Sequence, residues 1–504
     1  MDTQRYIAQT SGATLVIVED DQARVCALDV RPNWAVGRYD PNMANTPDIL
    51  FTSPIVSREH GWIQNIDDQW IYVDNPKNLN GTFHNGVKIS RPRPGTKKPT
   101  ILESGDVLRI DNDDLDHVSS QGVFMLFTTT PVKGNWTTYP LKKQTTFIGR
   151  DSSCDIVESL PYVSAKHAKI TNVNNQYYLS DCGSSAGTFL NGKQVTVTTP
   201  LREKDYISIC DCSFIFLGNK LLYAHRNRKR EKEELRRTAS DQRPVVLKAD
   251  IKTKRVKDNS GNGMKELIRD IRLEIRQGTL VALLGTAGAG KSTVMNCLNG
   301  MDLEGVQGSV IFRDVDLMKH FEQMKYLIGS VPQKKTFHPD FSPEKELRIA
   351  AQKRLPADTT RKEINERVDK TLEMLGISGV RKSKNSKLSG GEQTRVNIGI
   401  ELVADRELLC LDEPDQGLDP KYKHEVFQIM RDLAHKNGKS VLSIIHDVSE
   451  IDMFDQVIML VKADGVGQLA FSGTPEEMRK KFGVTDIRTV YGLLEKEPHK
   501  YIVR

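Results

Sequence analysis

The chain changes its hydrophobic rhythm after its first two hundred or so residues. Up to residue 222, short runs alternate apolar with polar positions: "GWIQNI" (61–66), "QWIYVD" (69–74), "DVLRI" (106–110) and "VFMLF" (123–127), then "HAKITNV" (167–173), "QYYLSD" (176–181), "DYISI" (205–209) and "SFIFL" (213–217). Gly, Asn and Asp separate them. Short period-two segments punctuated by turn residues predict β-sandwiches. Beyond residue 245 the apolar runs become unbroken, as in "TLVALLG" (279–285), "LLCLD" (408–412) and "VLSII" (441–445). Runs of that kind predict parallel strands buried on both faces, hence an α/β domain.

The first half is a duplication. "WAVGR" (34–38), "VSREH" (56–60) and "NLNGTFHNG" (78–86) reappear as "TFIGR" (146–150), "VSAKH" (163–167) and "SSAGTFLNG" (184–192). Asn85–Gly86 and Asn191–Gly192 fit hairpin turns and need no functional explanation. The expected division is residues 1–130, 131–222, a charged linker at 223–244, and a third domain at 245–504.

The α/β part carries the chemistry. "GTAGAGKST" (285–293) fits G-x-x-x-x-G-K-[ST], with an apolar strand before it and a helical stretch after it. Gly285, Gly288 and Gly290, with Thr286, Ala287 and Ala289 between them, let backbone N–H groups close around phosphate oxygens; Lys291 would reach the β- and γ-phosphates, and Ser292, followed by Thr293, would ligate Mg²⁺. "LLCLDEP" ends a buried strand in two carboxylates. Asp412 is placed to hold Mg²⁺, and Glu413 to accept a proton from water attacking the γ-phosphate. "VLSIIH" delivers His446 to the same sheet edge. Gln333, in "VPQ", follows another apolar stretch and can position water or Mg²⁺. In "LSGGEQ" (388–393), Ser389, Gly390 and Gly391, with Gln393 beyond them, open a helix whose N-terminus suits an anion.

Together these strings resemble the ATP-binding-cassette (ABC) family over about residues 245–480. The resemblance makes Gln333 the Q-loop, Leu388–Gln393 the signature that contacts the γ-phosphate of the other cassette, Asp419 the D-loop and His446 the switch histidine. It implies an ATPase using ATP and Mg²⁺. With one cassette per chain, it implies a dimer that buries two ATP molecules. "HPDFSPEKELRIAAQKRLP" (338–356), "VDKTLEMLGI" and "RVNIGIELV" resemble the G subfamily of exporters of lipids and hydrophobic compounds. Two departures stand out. No Phe, Tyr or Trp lies between Tyr223 and Phe312 to stack on adenine, which leaves an apolar side chain such as Val256 for that role. Asp415–Gln416 replaces the family's usual Thr–Ser pair.

The duplicated pattern resembles forkhead-associated (FHA) domains, which bind phosphothreonine. In the first copy the resemblance puts Arg38 and Ser57 on the phosphate and Asn80 on the peptide backbone. Arg58 adds a second guanidinium, Leu79 replaces a hydroxylic residue, and His60 braces the loop. The second copy keeps Arg150, Ser164 and Ser185 but has Ala165 and Ala186 where a charge and the peptide-clamping Asn are expected. The second site is therefore expected to be the weaker reader.

Composition fits a globular chain of about three domains, with 38% hydrophobic and 27% charged residues. No apolar run approaches the roughly 18–20 residues of a spanning helix, and "MDTQRYIAQT" lacks the apolar core of a secretory signal. The expected setting is the cytoplasm, at the inner face of the membrane, with separate transmembrane subunits. Seven scattered cysteines fit a reducing compartment. Cys210-x-Cys212 reads as strand positions and not as a metal site.

Much of the net charge of +6 is local. Seven Lys/Arg and three Glu between His225 and Arg237 give +4 there. This stretch reads as a solvated helix or linker. A lipid-facing patch is the bolder alternative. No aromatic residues interleave it, so no specific nucleic-acid partner is expected. "RRTAS" (236–240) resembles a basophilic kinase site at Thr238 or Ser240. The expected partners are a second cassette, a membrane subunit, and a threonine-phosphorylated protein or its kinase. A non-transport ABC ATPase and a phosphopeptide scaffold switched by nucleotide remain alternatives.

Overall fold

In the computed structural model the described residues are 10–503, except 20–21, 30, 32, 41–45, 67–68, 85–86, 90–98, 103–105, 113–120, 129–135, 191–192, 203–204, 211, 225–234, 258–262 and 314. Both Asn–Gly pairs and most of the basic run lie outside them.

The two duplicated segments fold alike. Among the described residues each pairs a six-stranded sheet with a five-stranded one. In each, the strand that ends near the G-R arginine pairs in parallel with a short strand just after it, and antiparallel with the strand that follows the S-x-x-H segment. Asn33–Arg38 does so with Ile49–Phe51 and Gly61–Ile66. Thr145–Gly149 does so with Ile156–Val157 and Ala168–Val173. Trp34, Val36, Phe51, Ile63, Tyr72 and Phe127 fill the first interior. A separate apolar seam joins the sandwiches: Val16, Val18, Phe124 and Leu126 of the first pack with Ile215, Leu217 and Leu222 of the second.

Cys210 departs from the strand position expected of it. It occupies the turn between Tyr206–Ile209 and Cys212–Phe216 with φ 53°. Tight hairpins demand positive φ, and that demand wins over strand preference here. None of the seven cysteines forms a disulfide.

The third part is built on a ten-stranded mixed sheet. Its parallel portion runs in spatial order Gln456–Ala463, Leu280–Gly285, Ser440–Ile444, Leu408–Asp412, Ile328–Val331. Leu280–Gly285 is buried at every position, as its unbroken apolar run requires. Three helices, Pro343–Arg354, Arg361–Met374 and Gly390–Leu402, meet through Leu347, Leu372, Leu375 and Ile398. A Cβ on Gly399 would lie 2.8 Å from Leu347 and 2.9 Å from Leu375, so glycine permits this close approach. One continuous apolar cluster runs from Ile207 and Phe214 of the second sandwich into Leu247, Leu283 and Leu298 of the cassette.

The end of the linker is anchored and not merely solvated. Leu235 is buried, and Arg236 donates to the Lys436 carbonyl at 2.6 Å. Arg243 donates to the Thr238 carbonyl at 3.1 Å, and Thr238 is half-buried. Among the described residues no helix is long and apolar enough to cross a membrane.

Candidate functional sites

The parallel strands bring their carboxyl ends to one edge, where α/β sheets bind ligands. Gly285 ends one strand and is in register with Leu460; Asp412 ends another and is in register with Ile444. The loop after Gly285 turns through Gly288 (φ 69°) and Gly290 (φ 81°) into the helix Lys291–Leu298. A Cβ at Gly290 would sit 2.7 Å from Ile268, so glycine serves both the turn and the packing. Lys291 Nζ donates to the Gly285 carbonyl at 3.2 Å across this loop. Burial lowers the Lys291 ammonium pKa, and Glu413 and Asp412 oppose that shift. Ser292 is exposed and Thr293 half-buried at the helix start. Thr286 Oγ1 accepts from the Lys462 amide at 3.3 Å, and the Ala289 amide donates to the Thr286 carbonyl at 3.1 Å, which sets the loop's shape. Ala287 is exposed at its tip.

Gln333, Glu413 and His446 converge. His446 Nε2 lies 2.6 Å from Glu413 Oε1, and Gln333 Nε2 donates to Glu413 Oε2 at 2.7 Å. Glu413 adopts φ 47°, an uncommon value for glutamate, while its amide donates to the Ile444 carbonyl at 3.1 Å. Burial, then the Glu413 charge, raises the Asp412 carboxyl above the usual range. Gln416 was missed in the sequence. Its Oε1 accepts from the same Gln333 amide at 2.9 Å. The signal for it was the departure at Asp415–Gln416.

Ser389 caps the helix Gly390–Leu402 and completes a capping box with Glu392. The Gly390 and Gly391 positions are tight against Leu418 and Tyr422 respectively. Gln393 braces the preceding loop by donating to the Asn385 carbonyl at 3.0 Å. Its Oε1 accepts from Lys335 Nζ at 2.8 Å, a second link that the sequence reading missed. Asp419 is the N-cap residue of Pro420–His435, without a side-chain cap bond. Val256 is half-buried in the strand Val245–Lys257.

The two FHA-like loops share one frame. Arg38 Nε donates to the Val56 carbonyl at 3.1 Å, and Arg150 Nε to the Val163 carbonyl at 3.0 Å. The Ser57 and Ser164 amides donate to His60 and His167 Nδ1, each at 3.1 Å. A Cβ on Gly37 would be 2.0 Å from the Arg58 carbonyl oxygen, and one on Gly149 2.2 Å from that of Ala165. Both glycines are therefore sterically required. Arg58 is exposed and pairs with Asp40 at 2.5 Å, and Asn80 donates to the Ile55 carbonyl at 2.6 Å. In the second loop Ser164 Oγ accepts from the Ser185 amide at 3.2 Å.

The two loops differ in what faces them. Arg150 contacts the carboxylates of Asp358 and Glu363, while among the described residues no carboxylate reaches Arg38.

Residues 268–416 match the model of the ABC transporter family, and residues 34–111 and 146–210 match the FHA domain model. An ABC transporter ATP-binding/permease protein of Mycobacterium tuberculosis is 31% identical over 351 residues, covering 70% of this chain and 38% of that protein. ABC transporter G family member 19 of Arabidopsis thaliana is 31% identical over 225 residues, 43% of this chain and 30% of its own length. This chain thus spans about a third of each of these relatives. A solved dimeric ATP-binding cassette with ADP and Pi aligns at 23% identity and a TM-score of 0.40, covering 45% of this chain and 98% of that one. On the matched segments, two FHA domains precede, in this one chain, an ABC-type ATPase cassette.

Proposed function

We propose that the chain hydrolyses ATP between two cassettes and drives a transmembrane export unit from the cytoplasmic face. In this reading the FHA domains recruit a threonine-phosphorylated partner or kinase. The carrying observation is the convergence of Gln333, Glu413 and His446 beside Lys291. Glu413 is hydrogen-bonded on both oxygens, which orients it to take a proton from water. His446 holds one oxygen and Gln333 the other. Backbone N–H groups of the 285–293 loop and Lys291 would hold the phosphates.

The residues present suit Mg²⁺. Ser292 and Asp412 would hold it with Gln333, and bound there it would offset the phosphate charge. Among the described residues no cluster of His, Cys, Asp and Glu could hold a metal alone, so nucleotide oxygens would complete the shell. Ser389, Gly390 and Gly391 would contact the γ-phosphate of the opposing subunit, with Asp419 at the subunit boundary.

Glu413→Gln tests this reading. It keeps the hydrogen-bonding shape and removes the base. ATP binding should persist, turnover should fall at least roughly a hundredfold, the scale of losing a general base, and an ATP-dependent dimer should accumulate. Near-normal turnover would overturn the assignment.

A further inference from the structure

The phosphate pocket of the second FHA domain is filled by the cassette. Arg150 directs its guanidinium at two carboxylates, Asp358 between the helices Pro343–Arg354 and Arg361–Met374 and Glu363 in the first turn of the second helix. Its Nη2 lies 3.3 Å from Asp358 Oδ1, and its Nη1 pairs with Glu363. The Ala165 amide, next to Ser164, donates to Asp358 Oδ2 at 2.6 Å. Ser185 Oγ accepts from the Ala357 amide at 3.3 Å, and its carbonyl accepts from the Tyr326 hydroxyl. All three residues assigned to this pocket are engaged, Ser164 through its bond from the Ser185 amide.

We propose that this pocket is an internal latch, in which Asp358 and Glu363 stand in for a phosphate, and that a phosphothreonine ligand is the chemical class that displaces them. The inference rests on reading the FHA loops as phosphate sites. Two carboxylates offer one guanidinium and one N–H the same charge and acceptor pattern as a phosphate dianion. Glu363 serves twice. One oxygen meets Arg150, while the other closes the capping box with Thr360 at 2.8 Å. The latch is thereby tied to the start of a helix. Tyr326 ties it a second time, because its turn leads directly into Ile328–Val331, the strand before Gln333. The latch thus sits beside the strand that leads to Gln333. The first domain is built otherwise: among the described residues Arg38 meets no carboxylate, and the one carboxylate on Arg58, that of Asp40, comes from its own domain and not from the cassette.

The test is amide hydrogen exchange on the full chain. Arg150→Ala, and Asp358→Asn with Glu363→Gln, should each speed exchange at least about tenfold in both 162–167 and 355–366. Gln can still complete the capping box, so unfolding of the helix is not the expected cause. Arg150→Glu should loosen both segments more than Arg150→Ala, because it sets a third carboxylate against Asp358 and Glu363. N-acetyl phosphothreonine N-methylamide should loosen 355–366 in the parent chain but not add to the effect of Arg150→Ala.

Unchanged exchange in the variants overturns the latch, as does failure of the probe to loosen the parent. None of these results depends on Arg38. If Arg38→Ala leaves phosphothreonine binding by the first domain intact, the phosphopeptide reading of that domain fails, and the exchange data are unaffected.

Discussion

Gln333 and Gln416 are joined side chain to side chain at 2.9 Å, and the shared donor also reaches Glu413 at 2.7 Å. Gln416 therefore acts on Glu413 at one remove, by fixing the amide that orients it. Gln416→Ala should lower ATP turnover about fivefold, the scale of one net hydrogen bond of about 1 kcal/mol. The loss should vanish in a Gln333→Ala background, because the two residues then have no bond left to break. A kcat comparison of both single variants and the double variant decides it. Additive losses would show that Gln416 works independently.

Nucleotide selectivity should be loose. An aromatic base stack is worth about 1–3 kcal/mol in nucleic-acid complexes, and no aromatic residue lies between Tyr223 and Phe312. Turnover of ATP and GTP should be comparable in a side-by-side kcat/KM measurement. A preference for ATP well above roughly tenfold, itself about 1.4 kcal/mol, would mean that another contact reads the base.

Phosphothreonine should be read by the first FHA domain. Arg38→Ala in the full chain should abolish binding of a phosphothreonine peptide in a fluorescence anisotropy titration, and Arg150→Ala should leave the tight phase unchanged. Binding that survives Arg38→Ala and disappears with Arg150→Ala would reverse the ranking of the two domains.

The first sandwich should weaken in mild acid. His60 is fully buried between the Ser57 amide and Thr82 Oγ1, and burial pushes its imidazole down from 6.5 to about 4. The unfolded chain takes up this proton before the folded one does. Stability is therefore complete above about pH 6.5 and is lost as the pH falls toward 4. At 1.36 kcal/mol per unit, about 3 kcal/mol is at stake. Thermal melts at pH 7.5 and 4.5 should show a smaller acid loss in His60→Asn than in the parent. Equal losses would place the acid sensitivity elsewhere.

The nucleotide edge was legible because its signals are local. An unbroken apolar strand, a glycine loop and a helix adjoin in sequence, so the strand–loop–helix turn at Gly285–Thr293 reads directly from the residues. The same holds for Asp412 and Glu413 at the end of their strand. The FHA repeat was legible as a pattern, yet the need for Gly37 and Gly149 was not. That need arises from the Arg58 and Ala165 carbonyl oxygens, which only folding brings to about 2 Å from the missing Cβ. The pairing of Arg150 with Asp358 and Glu363 was less legible still, since more than 200 residues separate the partners. In sequence the two acids look like ordinary helix-start charges, which a helix dipole favours unaided. The anchoring of Arg236 on the Lys436 carbonyl was hidden in the same way, because a backbone acceptor leaves no mark in a sequence.

The seam of Val16, Val18, Phe124 and Leu126 against Ile215, Leu217 and Leu222 makes the two sandwiches one packed unit. If the proposed phosphothreonine reading holds, a protein bound near Arg38 would be held to the second sandwich across this seam. The second sandwich in turn touches the cassette at Asp358 and at Tyr326, two residues ahead of the strand that leads to Gln333. A partner docked on the first sandwich would then stand two contacts away from the nucleotide edge instead of on a free tether.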